Sequence, residues 1–216
     1  MAKKSFLIIG MGTFGHHLCR ELANQRCEVM VVDINPEAEE DVLGIVVSAK
    51  VGDCTNEEVL RSFGIPDFDA CFVCVSSDFK NSLQITSLLR ELGARKILCK
   101  AVDDIHKKFL LRNGADQVIF PEQEAALSLA VSESSDDIFD CITLTAEYSI
   151  YELKVPDSWV GKSIADLNVR SRYRLNILAI KTDAGMQPLT DAAHVFRGEE
   201  HLMVMGMVED VRKLVR

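Results

Sequence analysis

Short, nearly unbroken apolar runs recur along residues 4–120: Phe6–Ile9, Val29–Val32, Ile45–Val51, Cys71–Val75, Ile97–Leu98 and Val118–Phe120. Strands covered on both faces read this way, because neither face needs polar residues. Between the runs lie stretches with apolar residues at helical spacing, namely Phe14–Leu22, Asn56–Phe63, Asn81–Leu92 and Ile105–Leu111. The alternation predicts an α/β domain, a doubly wound parallel sheet with helices on both sides.

The texture changes at Ser132-Glu-Ser-Ser-Asp-Asp137, an acidic stretch that reads as a helix end or a crossing linker. Beyond it, Tyr148–Val155 alternates with period two, as a half-buried strand does. Pro156-Asp157 closes that strand, Ser163–Leu167 makes a short helix, and Leu175–Lys181 and His201–Gly206 make two more strands. A turn at Asp183–Gly185 and a final helix over Val208–Val215 complete a small α+β unit. The pattern divides the chain into 1–134, an acidic crossover over 135–142, and a smaller α+β domain over 143–216. A unit of roughly 70 residues is near the lower limit of independent stability, so pairing with a second copy is expected.

Composition then narrows the function. The 216 residues are 48% hydrophobic, which suffices for a core, and carry a net charge of −9. That sign opposes a general electrostatic grip on nucleic acid or on an anionic bilayer. No apolar run reaches the ~18–20 residues of a membrane span. Gly10-Met-Gly12 interrupts the first apolar run too early for a signal peptide. Seven scattered cysteines form no disulfide framework, and a cytoplasmic location is expected.

The sharpest motif is Gly10-Met11-Gly12-Thr13-Phe14-Gly15, a G-x-G-x-x-G that follows an apolar strand and opens a helix. Gly10 permits a tight turn, Gly12 lets the backbone approach a diphosphate, and Gly15 lets the helix pack on the sheet. The helix N-terminus offers unpaired N–H groups to phosphates. Asp33 ends the second strand, followed by Ile34 and Asn35. Its carboxylate can accept from both ribose hydroxyls and repels a 2′-phosphate, which favours NAD(H) or an adenine nucleotide over NADP. Further strand ends supply Gly52-Asp53-Cys54, Val75-Ser76-Ser77-Asp78 with Asn81, and Lys100-Ala101. Asp53 can read an adenine amino group, and Asp78 can equally be a cap for the helix that holds Asn81.

A nicotinamide-dependent oxidoreductase is the alternative reading, and it needs a proton donor near the cofactor. His194, in a polar loop, and His201, beside two glutamates, read as structural; one of His16 and His17 can lie near phosphates, but both read as helix-surface residues. Cys71 and Cys74, three apart in a predicted strand, point to opposite faces and cannot clamp one metal. No catalytic residues are assigned.

Gly10–Gly15, Asp33, Gly52-Asp53, Asp78 with Asn81, and Gly114–Glu122 together resemble the N-terminal half of an RCK (regulator of conductance of potassium) domain. Val155-Pro156, Trp159–Ser163, Asn176–Lys181 and Gly206 before Glu209-Asp210 resemble its C-terminal half. Free-standing chains of this layout are similar to the cytosolic subunits of bacterial potassium-uptake systems, the KtrA/TrkA type. The resemblance implies a ligand-gated regulator and not an enzyme. It implies homodimers that assemble into an octameric ring beneath a membrane-embedded potassium transporter subunit of the KtrB/TrkH type. The ring would respond to ATP, ADP, AMP or NAD(H), with a Mg, Na or K ion at the phosphates carried by Glu122. Thr13 stands where this branch often has an arginine that reaches the terminal phosphate, which turns preference toward NAD(H), ADP or AMP. Some relatives bind cyclic di-AMP between two C-terminal halves, and Arg170, Arg174, Asn176 and Ile177 are the candidates for that second ligand.

Overall fold

A computed structural model describes residues 3–145, 147–189 and 191–215. The chain forms two compact units, Met1–Pro121 and Glu122–Arg216.

The first unit runs β1 (Ser5–Ile9), α1 (Thr13–Asn24), β2 (Glu28–Asp33), a 3-10 turn (Pro36–Val42) and β3 (Ser48–Val51). It continues through α2 (Glu57–Arg61), β4 (Ala70–Val73), α3 (Phe79–Glu91), β5 (Ile97–Lys100), α4 (Asp104–Arg112) and β6 (Gln117–Ile119). The six strands are parallel in the order β3-β2-β1-β4-β5-β6, so the order reverses between β1 and β4. The doubly wound α/β fold expected from the apolar runs is what forms. Alternate residues of one strand feed opposite faces: Leu7 and Ile9 join one core with Leu60, Ile85, Leu89 and Leu110. Ile8, Val29 and Val31 join the other with Cys19 and Val42. Cys71 belongs to the first core and Cys74 to the second, on opposite faces as the strand geometry requires. Burial pushes both thiols up to about 12, so they are inert packing groups.

The second unit begins inside α5 (Pro121–Glu133), one residue after its start, and continues with β7 (Ile138–Thr143), β8 (Tyr148–Lys154), α6 (Ile164–Leu167), α7 (Val169–Tyr173) and β9 (Asn176–Thr182). It ends with β10 (Gly185–Pro188), β11 (His201–Met207) and α8 (Val208–Leu214). The antiparallel order is β10-β9-β11-β8-β7. One sheet face is buried: Leu202 and Val204 of β11 pack with Tyr151, Leu153, Trp159, Leu175 and Phe196, while Met203 and Met205 are half-buried on the other face. A Cβ on Gly206 would lie 2.2 Å from Leu175 Cδ2, so any larger residue there would require the buried Leu175 side chain to move. Strand β7 lies within the acidic segment read as a crossover, and α5 and α7 had no counterpart in the apolar pattern. No helix among the described residues is long and apolar enough to cross a membrane.

Candidate functional site

In an open parallel sheet the strand ends next to the reversal of order leave a crevice, and here that point lies beyond β1 and β4. The glycine loop occupies it. Gly10 has φ +95°, a conformation that side-chain-bearing residues rarely adopt, and an added Cβ would lie 2.9 Å from Val75 N. The loops after β1 and β4 therefore touch at Gly10. A Cβ on Gly15 would lie 2.2 Å from Gly10 O, so α1 can approach the loop only with glycine there.

Gly12 differs from both. It is the N-cap of α1 with φ −71°, makes no side-chain cap, and an added Cβ would meet nothing within 4 Å. Neither backbone conformation nor packing within the unit requires glycine at this position. The first turn of α1 holds no acidic residue, so no carboxylate of that turn competes for its N–H groups. A missing side chain in front of an uncapped helix N-terminus is the shape a phosphate needs.

Asp33 is bound into the same loop. Its Oδ2 accepts from Met11 N–H at 2.6 Å and its Oδ1 accepts from Asn35 N–H at 2.8 Å. A carboxylate has about four acceptor sites, so two remain for ribose hydroxyls. Asp33 O accepts from Gly52 N–H at 2.9 Å, which joins the ends of β2 and β3. Asp53 Oδ1 accepts from the Thr55 backbone N–H and hydroxyl, and the hydroxyl bond first, then the backbone one, holds its carboxyl below the ordinary range. Lys100 places Nζ 6.0 Å from the Phe14 ring centroid, which links the end of β5 to the loop.

The contacts thus gather Gly10, Met11, Phe14, Gly15, Asp33, Asn35, Gly52, Val75 and Lys100 around one crevice. Other expected residues take narrower parts. Ile34 is exposed, Ala101 is buried, and Ser76 and Ser77 lie in the loop after β4. Cys54 is buried with its thiol pushed up to about 12 by burial. Asp78 caps α3 by accepting from Asn81 N–H at 2.9 Å. Glu122 lies in the first turn of α5, in the second unit. Among the described residues no group of three or more His, Cys, Asp or Glu is placed to hold a metal ion.

Two participants lie outside the expected set of binding residues. His16 Nδ1 contacts Gly12 O at 3.1 Å and its Nε2 contacts Asp41 Oδ1 at 3.0 Å, tying the loop to the 3-10 turn. Glu39 is buried on that turn and accepts from Asp33 N–H at 3.0 Å. Its residue type inside Glu37-Ala-Glu-Glu-Asp41 looks like any solvated acidic run.

In the second unit a cavity of ≈ 420 Å³ is lined by Arg170, Asn176, Ile177, Val169, Leu175 and neighbouring residues. Arg170 Nε donates to Asn176 Oδ1 at 2.7 Å. Arg174, with φ 58°, is not among the lining residues. His201 Nδ1 and Lys181 Nζ both bond the buried Glu152 carboxylate, at 2.7 and 2.8 Å, and His194 Nε2 contacts Glu200 at 3.1 Å.

Residues 6–121 match the TrkA-N domain and residues 150–216 the TrkA-C domain. The chain belongs to the TrkA-N/TrkA-C (RCK) family. Over 98% of its length it is 34% identical to the Ktr system potassium uptake protein C of Bacillus subtilis, covering 96% of that protein. It is 35% identical to Ktr system potassium uptake protein A of the same organism, over 97% of this chain and 95% of that one. Among solved structures, the RCK domain of GsuK matches 99% of the chain with a TM-score of 0.68 at 18% identity. The GsuK channel bound to NAD matches with a TM-score of 0.70 at 18% identity. The chain spans 48% of the first of these and 40% of the second. At that identity the likeness establishes the RCK fold of both units.

Proposed function

We propose that this chain is a cytoplasmic regulatory subunit of a potassium-uptake system. In this reading it senses NAD(H) or an adenine nucleotide in the crevice beyond β1, β2, β4 and β5, and passes the bound state to a membrane-embedded transporter. The observation that carries the nucleotide part is Gly12, a glycine the fold does not need, in front of an uncapped helix with Asp33 bound to the adjoining residue. The partner rests on relatedness to the Ktr proteins over nearly the full chain, and the ligand class gains support from a GsuK channel bound to NAD. A regulator needs only unequal affinity of the ligand for two conformations, not a reacting centre. The histidines an oxidoreductase reading would turn to, His194 and His201, are engaged by Glu200 and Glu152. A homodimer that assembles into a ring beneath the transporter is part of the same proposal.

The test is a thermal-shift titration with ATP, ADP, AMP, NAD and NADH. A ligand that binds only the native state at 100 times its Kd stabilises by about 2.7 kcal/mol. At least one of the five raises the melting temperature progressively, with the logarithm of its concentration above Kd. No shift with any of them removes the nucleotide reading, and turnover of NADH with a carbonyl substrate removes the regulator.

A second ligand is favoured by the cavity at Arg170, whose guanidinium, the Asn176 amide and the apolar Val169 and Leu175 suit a cyclic dinucleotide such as cyclic di-AMP. Calorimetry of cyclic di-AMP against wild type and Arg170→Ala tests it: saturable binding lost in the variant supports this site, and unchanged binding rejects it.

A further inference from the structure

The crevice contains a buried charge with no assigned task. Glu39, on the 3-10 turn Pro36–Val42, is 4% exposed. Burying a carboxylate is costly unless donors reach it, and the turn closes without one, because Asn35 caps its start by accepting from Glu37 N–H at 3.1 Å. What Glu39 does hold is Asp33: its Oε1 accepts the Asp33 N–H at 3.0 Å. Asp33 in turn accepts from Met11 N–H at 2.6 Å and from Asn35 N–H at 2.8 Å. A continuous chain of hydrogen bonds thus runs from the turn, through the ribose-reading residue, to the residue preceding Gly12. Fixing the Asp33 peptide fixes the direction of its Cα–Cβ bond and hence where the carboxylate oxygens lie. Two hydroxyls on adjacent ribose carbons can both reach a carboxylate only in a narrow range of orientations.

We propose that Glu39 is a positioning residue for ribose recognition: by holding the Asp33 backbone it aims the Asp33 carboxylate at both ribose hydroxyls, and so sets the preference for ribonucleotides over their 2′-deoxy counterparts. This inference rests on the nucleotide reading above. Two other features agree with it. Burial pushes the Glu39 carboxyl above its ordinary range, bonds from the Asp33 and Lys50 backbones oppose that push, and the Asp33 charge adds to it. The carboxylate is therefore kept close to a like charge, which only the backbone donors offset. The turn also bears Asp41, which meets His16 and Arg20 of α1, so the same turn is tied to the phosphate end of the crevice.

The experiment is calorimetric titration of ADP and 2′-deoxy-ADP into the wild-type chain, Glu39→Gln and Glu39→Leu. One hydrogen bond to a charged acceptor corresponds to roughly tenfold or more in affinity, so the wild type prefers ADP by about that factor. Glu39→Gln, whose amide oxygen accepts the same N–H, keeps that preference to within about threefold. Glu39→Leu has no acceptor and loses the preference: ADP, which forfeits both hydroxyl contacts, weakens about tenfold more than 2′-deoxy-ADP, which has only its 3′-hydroxyl contact to lose. Glu39→Ala, which admits water where leucine would crowd, carries the same expectation should the leucine variant not fold. Equal weakening of both ligands with the preference intact overturns the inference, because a merely structural residue acts that way. If the wild type binds both ligands equally, the inference fails and the nucleotide site stands. If it binds neither ADP nor NAD, the nucleotide reading fails and takes the inference with it.

Discussion

At the scale of single residues, three glycines in one motif do three different things. Gly10 and Gly15 serve the fold, through a positive φ and a 2.2 Å approach of the missing Cβ to a carbonyl. Gly12 is required by neither, and the proposed site gives it to the ligand. The contrast gives a paired prediction. Gly15→Ala overpacks against Gly10 O and lowers unfolding free energy by about 1–3 kcal/mol, read from denaturant melts. Gly12→Val, at an N-cap where valine is disfavoured, costs no more than about 1 kcal/mol in the same melts and abolishes nucleotide binding by calorimetry. A Gly12→Val protein that still binds tightly would put the site elsewhere. Asp33→Ala removes an acceptor from the ribose and the clamp on Met11 N–H, and is expected to weaken ADP and NAD by about 10–100-fold. NADP, no longer repelled, loses less, so the NAD-to-NADP ratio measured by calorimetry falls. The glycine loop and its neighbour Asp33 were legible because the turn, the helix start and the end of the next strand are written in residue type and spacing. Glu39 was not, since only burial separates it from its solvated neighbours Glu37 and Glu40, and burial comes from tertiary structure.

At the scale of elements, the central strands were legible because burial on both faces leaves an unbroken apolar run. Edges were harder. Residues 45–47 of the run Ile45–Val51 lie outside β3, which starts only at Ser48, and Val47 is 71% exposed there. Strand β7 escaped notice because its register with β8 shifts between Ile138 and Asp140, which breaks the period-two pattern. Helix α5 buries none of its side chains within the chain, so it shows no apolar stripe to read. One hidden element contact has a consequence for pH. His106 of α4 is fully buried against α3, with Nε2 at 3.0 Å from Ser82 Oγ and no hydrogen-bond partner for Nδ1 among the described residues. Burial pushes this imidazole below its ordinary value of 6.5, against an opposing pull from Asp103. The unfolded chain therefore takes up a proton near pH 6.5 that the folded chain refuses, and stability falls as pH drops below that value. Denaturant midpoints are expected to fall between about pH 7 and 5.5 in the wild type and less steeply in His106→Asn. Equal slopes would show that His106 is not the group responsible.

At the scale of the whole molecule, the two units each carry one candidate ligand site, and the chain aligns with the Ktr proteins across both. An acidic chain with a net charge of −9 gains nothing from an anionic bilayer, so it must reach a membrane partner through specific contacts. The second unit is too small for a substrate domain, and the cavity at Arg170 is where the proposal places a ligand of its own. Regulation then requires that ligand occupancy at Gly12 and Asp33 alter what the partner does. The most direct measurement is potassium influx into vesicles that carry a Ktr-type membrane subunit, with this chain added in the presence and absence of nucleotide. The account predicts that the wild-type chain makes influx depend on the nucleotide, and that Gly12→Val removes that dependence while still folding. Influx indifferent to nucleotide with the wild-type chain, or equally responsive with Gly12→Val, would contradict it.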